Sequence, residues 1–354
     1  MKIIKDRIRI MQLKYMLIVL VRQIQFHLTH PNFIWLSLSY FLKWKEIVFL
    51  PISIDIEPNN NCNFRCSHCQ VTHWDKKITH LDEKSFNKIL TQLPGLRVIK
   101  LQGMGEPLLN KELLNMLKSG EARGISMQIV SNASLCNRQA AEQLAQLKKT
   151  AITFSIDGAT KETFEKIRAG SNFEDVKKNI SSLVQLRGGR KQPRISIWSV
   201  ITKDNIAEIA ALIKLTKELG VDSIALQPFL NNWGKEEMEQ YTNLVKIDMN
   251  DKYITAKISE VKAIAQENQI HLDIYYGNFC SRRQPCLWPW TSAYIASNGD
   301  VIPCCTIGDS DTIKMGNVFE KSFSEIWYSA KYHDFRTQIR KHDLPSYCKN
   351  CYAS

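Results

Sequence analysis

Cys62-Asn63-Phe64-Arg65-Cys66-Ser67-His68-Cys69 stands at the end of a run in which Ile52, Ile54 and Ile56 alternate with Ser53, Asp55 and Glu57. Alternation of this kind reads as a β-strand with one buried face, so the cysteines sit on the loop that leaves a strand. Three thiolates at this spacing suit three irons of a [4Fe–4S] cluster, one short of the cysteine set that closes such a cluster. The remaining iron is then open to a ligand that is not protein. Zinc is the competing occupant. Structural zinc takes four ligands, usually from paired C-x2-C units or with histidines, and the donor available for that set here is His68, inside the loop between two of the cysteines.

Outward from this loop the pattern switches between two periods. Strand-like segments read at Arg97–Gly103, Ile125–Ser131, Ala151–Ile156, Arg194–Ile201 and Ser223–Phe229. Helical periodicity fills the intervals, at Leu81–Leu93, Lys111–Ser119, Arg138–Leu147, Lys161–Ile167, Phe173–Leu186 and Ile206–Leu219. Such alternation predicts parallel strands joined by crossover helices, hence an α/β fold. Six strands fall short of the eight in a complete barrel of about 250 residues, so the expected architecture over 51–230 is a partial (β/α)6 barrel. A polar loop and a helix, Tyr253–Glu267, bridge 231–275, and 276–354 reads as a small cysteine-rich domain of short strands and turns. Sites in parallel α/β folds gather at the C-terminal strand ends.

Further motifs fall at those ends. The second strand runs into Gly103-Met104-Gly105-Glu106-Pro107, the third into Ser131-Asn132, and the fourth into Ser155-Ile156-Asp157-Gly158; Ile167-Arg168-Ala169-Gly170 follows. A glycine turn lets backbone approach a ligand, and a carboxylate beside it can accept from a cation. Taken singly, Ser155 and Asp157 are equally suited to capping the helix that follows. In this order, and with C-x3-C-x2-C ahead of them, the runs resemble the signature of the radical S-adenosylmethionine (SAM) superfamily over residues 51–354. The resemblance implies the partial barrel, and SAM chelated to the open iron through its amino and carboxylate groups. It implies that Gly103, Gly105, Glu106 and Pro107, the counterpart of the family's GGEP run, receive the SAM α-amino group. It places Ser131 and Asn132, where relatives have Thr-Asn-Gly and this chain has Ala133 for the glycine, beside the cofactor. Ser155 and Asp157 are expected at the ribose or the carboxylate, and Arg168 on the carboxylate. His68 stands where relatives carry an aromatic residue, flanking adenine or shielding the cluster.

The C-terminal segment brings Cys286, then Gly299 and Cys304 in C-x12-G-x4-C spacing, and finally Cys348-Lys349-Asn350-Cys351. This is similar to the SPASM/Twitch domains that hold auxiliary [4Fe–4S] clusters in one branch of the superfamily. A full SPASM domain continues with more cysteines, whereas Tyr352, Ala353 and Ser354 follow here; the expectation is one auxiliary cluster on Cys286, Cys304, Cys348 and Cys351. A four-cysteine zinc site tolerates the same spacing. Cys305 is an alternative to Cys304, Cys280 a candidate substrate contact, and Cys136 a buried thiol.

The chain has 354 residues, 44% hydrophobic composition, ten cysteines and a formal charge of +12. Met16–Val21 is too short for a signal-peptide core, so the cysteines read as metal ligands in a reducing cytoplasm. Residues 1–50 carry eight Lys and Arg against Asp6 and Glu46, and read as a basic, amphipathic, helical extension. It either covers one side of the catalytic domain or lies peripherally on an anionic membrane surface; its apolar runs are too short to span a bilayer. No nucleic-acid motif accompanies the charge. The resemblance implies a radical SAM oxidoreductase that dehydrogenates or rearranges a hydroxylated small or carrier-linked substrate, with a flavodoxin- or ferredoxin-like electron donor. The alternatives are a SPASM-type maturase of a ribosomal peptide, and a non-catalytic iron–sulfur or zinc protein.

Overall fold

The computed structural model describes residues 49–354 apart from Trp74, 231–235, 276–279, 281–285, Asn350 and 353–354. The basic extension read at 1–50 therefore lies, but for Phe49 and Leu50, outside the described residues. Residues 50–354 form one compact unit.

The expected strands are β1 (Ser53–Ile56), β3 (Val98–Leu101), β4 (Ser126–Ser131), β5 (Thr150–Ser155), β7 (Arg194–Val200) and β8 (Ser223–Gln227), adjacent in that order and parallel throughout. Two short strands, β2 (Arg65–Cys66) and β6 (Arg168–Ala169), pair antiparallel in a sheet of their own. Between the barrel strands run α1 (Glu83–Gln92), α2 (Leu113–Ala122), α3 (Arg138–Leu144), α4 (Lys161–Ile167), α5 (Phe173–Arg187) and α6 (Ile209–Glu218). Starts are marked by side-chain caps that satisfy free N–H groups: Asp82 accepts from Ser85, Asn137 from Ala140, Thr160 from Thr163 and Asn172 from Asp175.

The main sheet extends past the barrel at both edges, to ten strands. After α7 (Glu236–Val245) and α8 (Lys252–Glu267), β9 (His271–Ile274) adds a further parallel strand beside β8. It escapes sequence reading because its polar–apolar alternation, His271-Leu272-Asp273-Ile274, spans only four residues, none of them buried. On the other edge β10 (Tyr294–Ile295) pairs parallel with β1, and β11 (Asp300–Ile302) and β12 (Gly316–Asn317) continue antiparallel. The sheet thus runs unbroken from barrel into the cysteine-rich segment, which adds α9 (Trp288–Thr291), α10 (Phe323–Trp327), α11 (Ala330–Lys341) and α12 (Ser346–Lys349). Among the described residues no helix is long and apolar enough to cross a membrane.

Alternation along the strands decides what each face does. Ile54, Ile56, Ile99, Leu101, Ile152 and Phe154 are fully buried, and α2 presents Leu113, Met116, Leu117 and Gly120 at helical spacing to that layer. Burying each such aliphatic side chain contributes about 1.5–3 kcal/mol, so this face holds the barrel together. The opposite face is polar: Asp55, Lys100 and Gln128 share one register row, and Thr153 pairs with Ser196 and Ser155 with Trp198 in others. Apart from buried Asp55, these residues are half-buried. A polar inner face at the ends of parallel strands leaves the barrel open to a ligand.

Candidate active site and second cysteine cavity

The cysteine loop is pinned by the small β2–β6 sheet, which sets Cys66 opposite Arg168. Ser67 donates its N–H to the Ile167 carbonyl at 3.0 Å, and the Cys69 N–H closes a turn on the Cys66 carbonyl at 3.1 Å. Backbone N–H groups of Phe64 and Val71 point at the Cys62 and Cys69 sulfurs. Burial, followed by its cysteine neighbours, nevertheless pushes the Cys69 thiol up to about 12, and burial also raises Cys62 and Cys66. Thiols so costly to ionise alone become thiolates readily when a bound cation shares the site. Three gathered thiols with N–H donors aimed at them fit an iron–sulfur cluster.

Arg168 bridges this loop to the fourth-strand motif. Its Nη1 approaches Cys66 Sγ at 3.9 Å and its Nη2 lies 2.6 Å from Asp157 Oδ2. Asp157 has no exposed surface; its other oxygen accepts the Val200 N–H at 2.7 Å, and His68 Nε2 stands 3.6 Å away. Burial lowers the His68 pKa, against the pull of Asp157, so the ring is neutral near pH 7. Sequence reading sends Asp157 to the ribose region and Arg168 to the SAM carboxylate. In this structure the two pair with each other, since leaving either buried charge without its partner is costly. Ser155 remains half-buried on the polar face beside Trp198.

The glycine turn meets the loop from the other side. Glu106 accepts from Ser131 Oγ at 2.7 Å and the Leu108 N–H at 3.1 Å on one oxygen, and from the Asn132 N–H at 2.7 Å on the other. One of the four acceptor positions of a carboxylate is left over. Burial holds the Glu106 pKa above the usual carboxylate range, and a cation arriving at the open position would favour the ionised form. Asn132 Nδ2 donates to Asn63 Oδ1 at 3.0 Å and sits 4.0 Å from Cys62 Sγ. Gly105 is required by close approach: a Cβ would overlap Asn59 Oδ1 and the carbonyls of Asn59 and Asn61. Pro107 opens the short helical turn Pro107–Leu109 that Glu106 caps. Ala133, standing for the family's glycine, keeps a left-handed φ of 64°. Glu106, Ser131, Asn132 and Cys62 are thereby brought together from three separate strands.

The C-terminal thiols converge on a second place. Cys286, Cys304, Cys348 and Cys351 line one narrow cavity of about 20 Å³, walled by Trp288, Phe335, Ile339 and Tyr352. Tyr352 accepts the Cys286 N–H at 2.6 Å, and the Thr306 N–H points at Cys304 Sγ at 3.3 Å. Burial pushes Cys348 and Cys351 up to about 12. A donor set of four thiols in an aromatic cage fits a closed cluster. Cys280 hydrogen-bonds Cys286, so it belongs to the edge of this cavity. Cys305 does not line it: its thiol lies within hydrogen-bonding reach of the Cys304 sulfur and of Asp55, on the barrel's polar face. Cys136 is fully buried.

Residues without an assigned role in the sequence now acquire partners. Gln102 donates to Asp55 Oδ2 at 2.9 Å, Gln227 accepts from Trp198 Nε1 at 3.1 Å, and Asp300 is held by Lys314 at 2.6 Å and by Asn317. Glu57 accepts from both the glycine turn and the C-terminal segment. Sequence reading missed Asn59 and Lys76. Asn59 donates to the Glu106 carbonyl at 2.9 Å; Lys76 pairs with Asp309 and Asp311 beside an open cleft of about 510 Å³. The run Asn59-Asn60-Asn61 was a turn signal, but its partners lie far along the chain.

Two family descriptions match the chain: "Radical SAM superfamily" over residues 56–216 and "Iron-sulfur cluster-binding domain" (SPASM) over 286–352. The chain is 28% identical over 318 residues to the tungsten-containing aldehyde ferredoxin oxidoreductase cofactor-modifying protein of Pyrococcus furiosus, covering 84% of this chain and 86% of that one. It is 20% identical to the PqqA peptide cyclase of Xanthomonas euvesicatoria, covering 85% and 80%. Among solved structures, Streptococcus suis SuiB bound to precursor peptide SuiA superposes with a TM-score of 0.67 at 20% identity, covering 85% of this chain and 69% of SuiB.

Proposed function

We propose that this chain, which belongs to the radical SAM superfamily and carries a SPASM iron–sulfur domain, oxidises or rearranges a hydroxylated small or carrier-linked substrate held on the polar inner face of its barrel. Cys62, Cys66 and Cys69 hold the cluster to which SAM binds, and Cys286, Cys304, Cys348 and Cys351 hold an auxiliary cluster. When bound, the first cluster and SAM would supply the one-electron chemistry for taking a hydrogen atom from substrate.

The chain's own residues prepare that event. The open acceptor position of Glu106 takes the SAM α-amino group, while Gly103 and Gly105 let the turn approach it. Ser131 and Asn132 orient the Glu106 carboxylate through their hydrogen bonds to it. Arg168 lies against Cys66 and offsets thiolate charge, and Asp157 holds that guanidinium in place. His68, neutral and half-enclosed, packs beside the loop and shields it from water. Lys100, Gln102 and Ser196 offer hydrogen bonds to a polar substrate, and a flavodoxin- or ferredoxin-like protein supplies the electron.

The observation that carries this reading is the convergence of four C-terminal thiols on one cavity while a separate trio stays on the β1 exit loop. A second reading, maturation of a ribosomal peptide, draws support from the PqqA peptide cyclases among the relatives. The deciding experiment is iron and acid-labile sulfide per chain after anaerobic reconstitution, with 5′-deoxyadenosine formation measured under reduction. About eight irons in the wild type, falling to about four in the Cys62/Cys66/Cys69 triple-alanine variant with loss of SAM cleavage, is the expected result. SAM cleavage retained in that variant sinks the proposal.

A further inference from the structure

We infer that Glu57 is a positioning residue for the SAM site, the link through which the C-terminal segment holds the Gly103–Glu106 turn in its binding shape. This rests on the SAM site proposed above and names a control on it that no motif marks.

Glu57 directly follows β1, is 3% exposed, and has both carboxylate oxygens committed. Oε1 accepts the Met104 N–H and the Tyr294 hydroxyl, each at 2.9 Å. Oε2 accepts the Ser297 N–H at 3.1 Å and the Ser297 hydroxyl at 2.9 Å. Met104 is the middle of the glycine turn; Tyr294 and Ser297 lie 237 and 240 residues beyond Glu57 in the chain. Packing repeats the message of the hydrogen bonds, because a Cβ at Gly103 would overlap Cβ and Cγ of Glu57. The turn therefore rests on the Glu57 methylenes and hangs from its carboxylate.

The other half of the turn is clamped independently. The Glu106 N–H bonds the Asn61 carbonyl at 2.8 Å, and its side chain is held by Ser131 and Asn132. Fixing Gly105–Glu106 from the cysteine loop and Gly103–Met104 from Glu57 leaves the turn little freedom to drift. The Glu57 carboxylate is enclosed with its acceptors in use, so it does not itself meet SAM. Its orientation is set by Tyr294 and Ser297, neither of which lines the second cysteine cavity. Ser297 is itself steadied by the Thr79 hydroxyl at 2.6 Å.

The test uses the full chain, reconstituted anaerobically, with SAM as the probe. Iron content, the dissociation constant of SAM by equilibrium dialysis, and the change in the reduced protein's electron paramagnetic resonance spectrum on adding SAM are read for each variant. Glu57→Ala is expected to keep wild-type iron, bind SAM about tenfold or more weakly, because a buried N–H is left unpaired, and show no spectral change at SAM concentrations that saturate the wild type. Glu57→Gln, whose amide end must face one N–H, falls between. Tyr294→Phe and Ser297→Ala are expected to weaken SAM binding in the same direction, and to have no further effect once Glu57 is Ala. Wild-type SAM affinity in both Tyr294→Phe and Ser297→Ala, or effects that simply add to Glu57→Ala, overturns the inference. These two variants carry the test if Glu57→Ala does not fold. A wild type that binds no SAM overturns the proposed function instead, so the two failures are distinguishable.

Discussion

Asp157 Oδ2 lies 2.6 Å from Arg168 Nη2, the aspartate side chain fully enclosed and the arginine side chain 8% exposed. The two motif residues, one after β5 and one after α4, are each other's counter-ion, and together they brace Cys66. A buried pair of this kind contributes little net stability, but stripping one partner leaves an uncompensated charge.

Replacing Asp157 with Ala should therefore destabilise the metal-free protein by about 3–5 kcal/mol, read as the midpoint and slope of urea unfolding. Lysine for Arg168 should not restore wild-type behaviour, because its point charge cannot span Asp157 and Cys66 as the planar guanidinium does. If Asp157→Ala unfolds at the wild-type midpoint, the pair is not a brace.

Cys304 lines the C-terminal cavity, whereas the neighbouring Cys305 thiol stays outside its lining, within hydrogen-bonding reach of Cys304 and of Asp55. Cys304→Ser should lose about four irons per chain, while Cys305→Ser should keep the wild-type count. Equal losses in both variants would mean that the two sulfurs share the ligand role.

Gly105→Ala places a Cβ against the backbone carbonyls of Asn59 and Asn61 and the Asn59 side chain. Backbone cannot move aside as a flexible side chain does. SAM binding should be lost, or weakened beyond about a hundredfold for a cost near 3 kcal/mol, with iron at Cys62, Cys66 and Cys69 retained. SAM affinity unchanged in this variant is incompatible with so tight a turn.

Glu106 has a pKa raised above its ordinary value of 4.5 because burial outweighs the N–H of Asn132 and the hydroxyl of Ser131. A raised folded pKa means that the fold retains a proton the unfolded chain releases. That stabilisation is complete below the unfolded value and is lost as pH rises through the folded value. In the metal-free protein the wild type should thus lose stability relative to Glu106→Gln as pH climbs from the ordinary value of 4.5 upward. Urea-unfolding midpoints of the two proteins across that window test it; a constant difference would falsify the shift.

The barrel was legible because strand faces alternate so strongly: Ile54 and Ile56, Ile99 and Leu101, Ile152 and Phe154 each mark a buried layer. β9 was illegible because its alternation, with Leu272 and Ile274 as the apolar positions, is only four residues long. The cysteine sets were legible as well, since C-x3-C-x2-C and the terminal C-x2-C are local spacings. Which of Cys304 and Cys305 turns into the cavity was not, because the direction of each side chain depends on backbone beyond β11 packing against α11 and α12.

The chain's own residue order determined the parallel α/β barrel, the two thiol sets and the glycine turn, all of which arise from periodicity or spacing within a few residues. The partners of Glu57, Asp157 and Glu106 were decided by tertiary structure alone. Each carboxylate is buried and must find donors wherever the fold delivers them. For Glu57 those are Met104, Tyr294 and Ser297, from a strand exit and from a segment 240 residues away. No local pattern encodes that meeting, because it exists only once β10 has paired with β1.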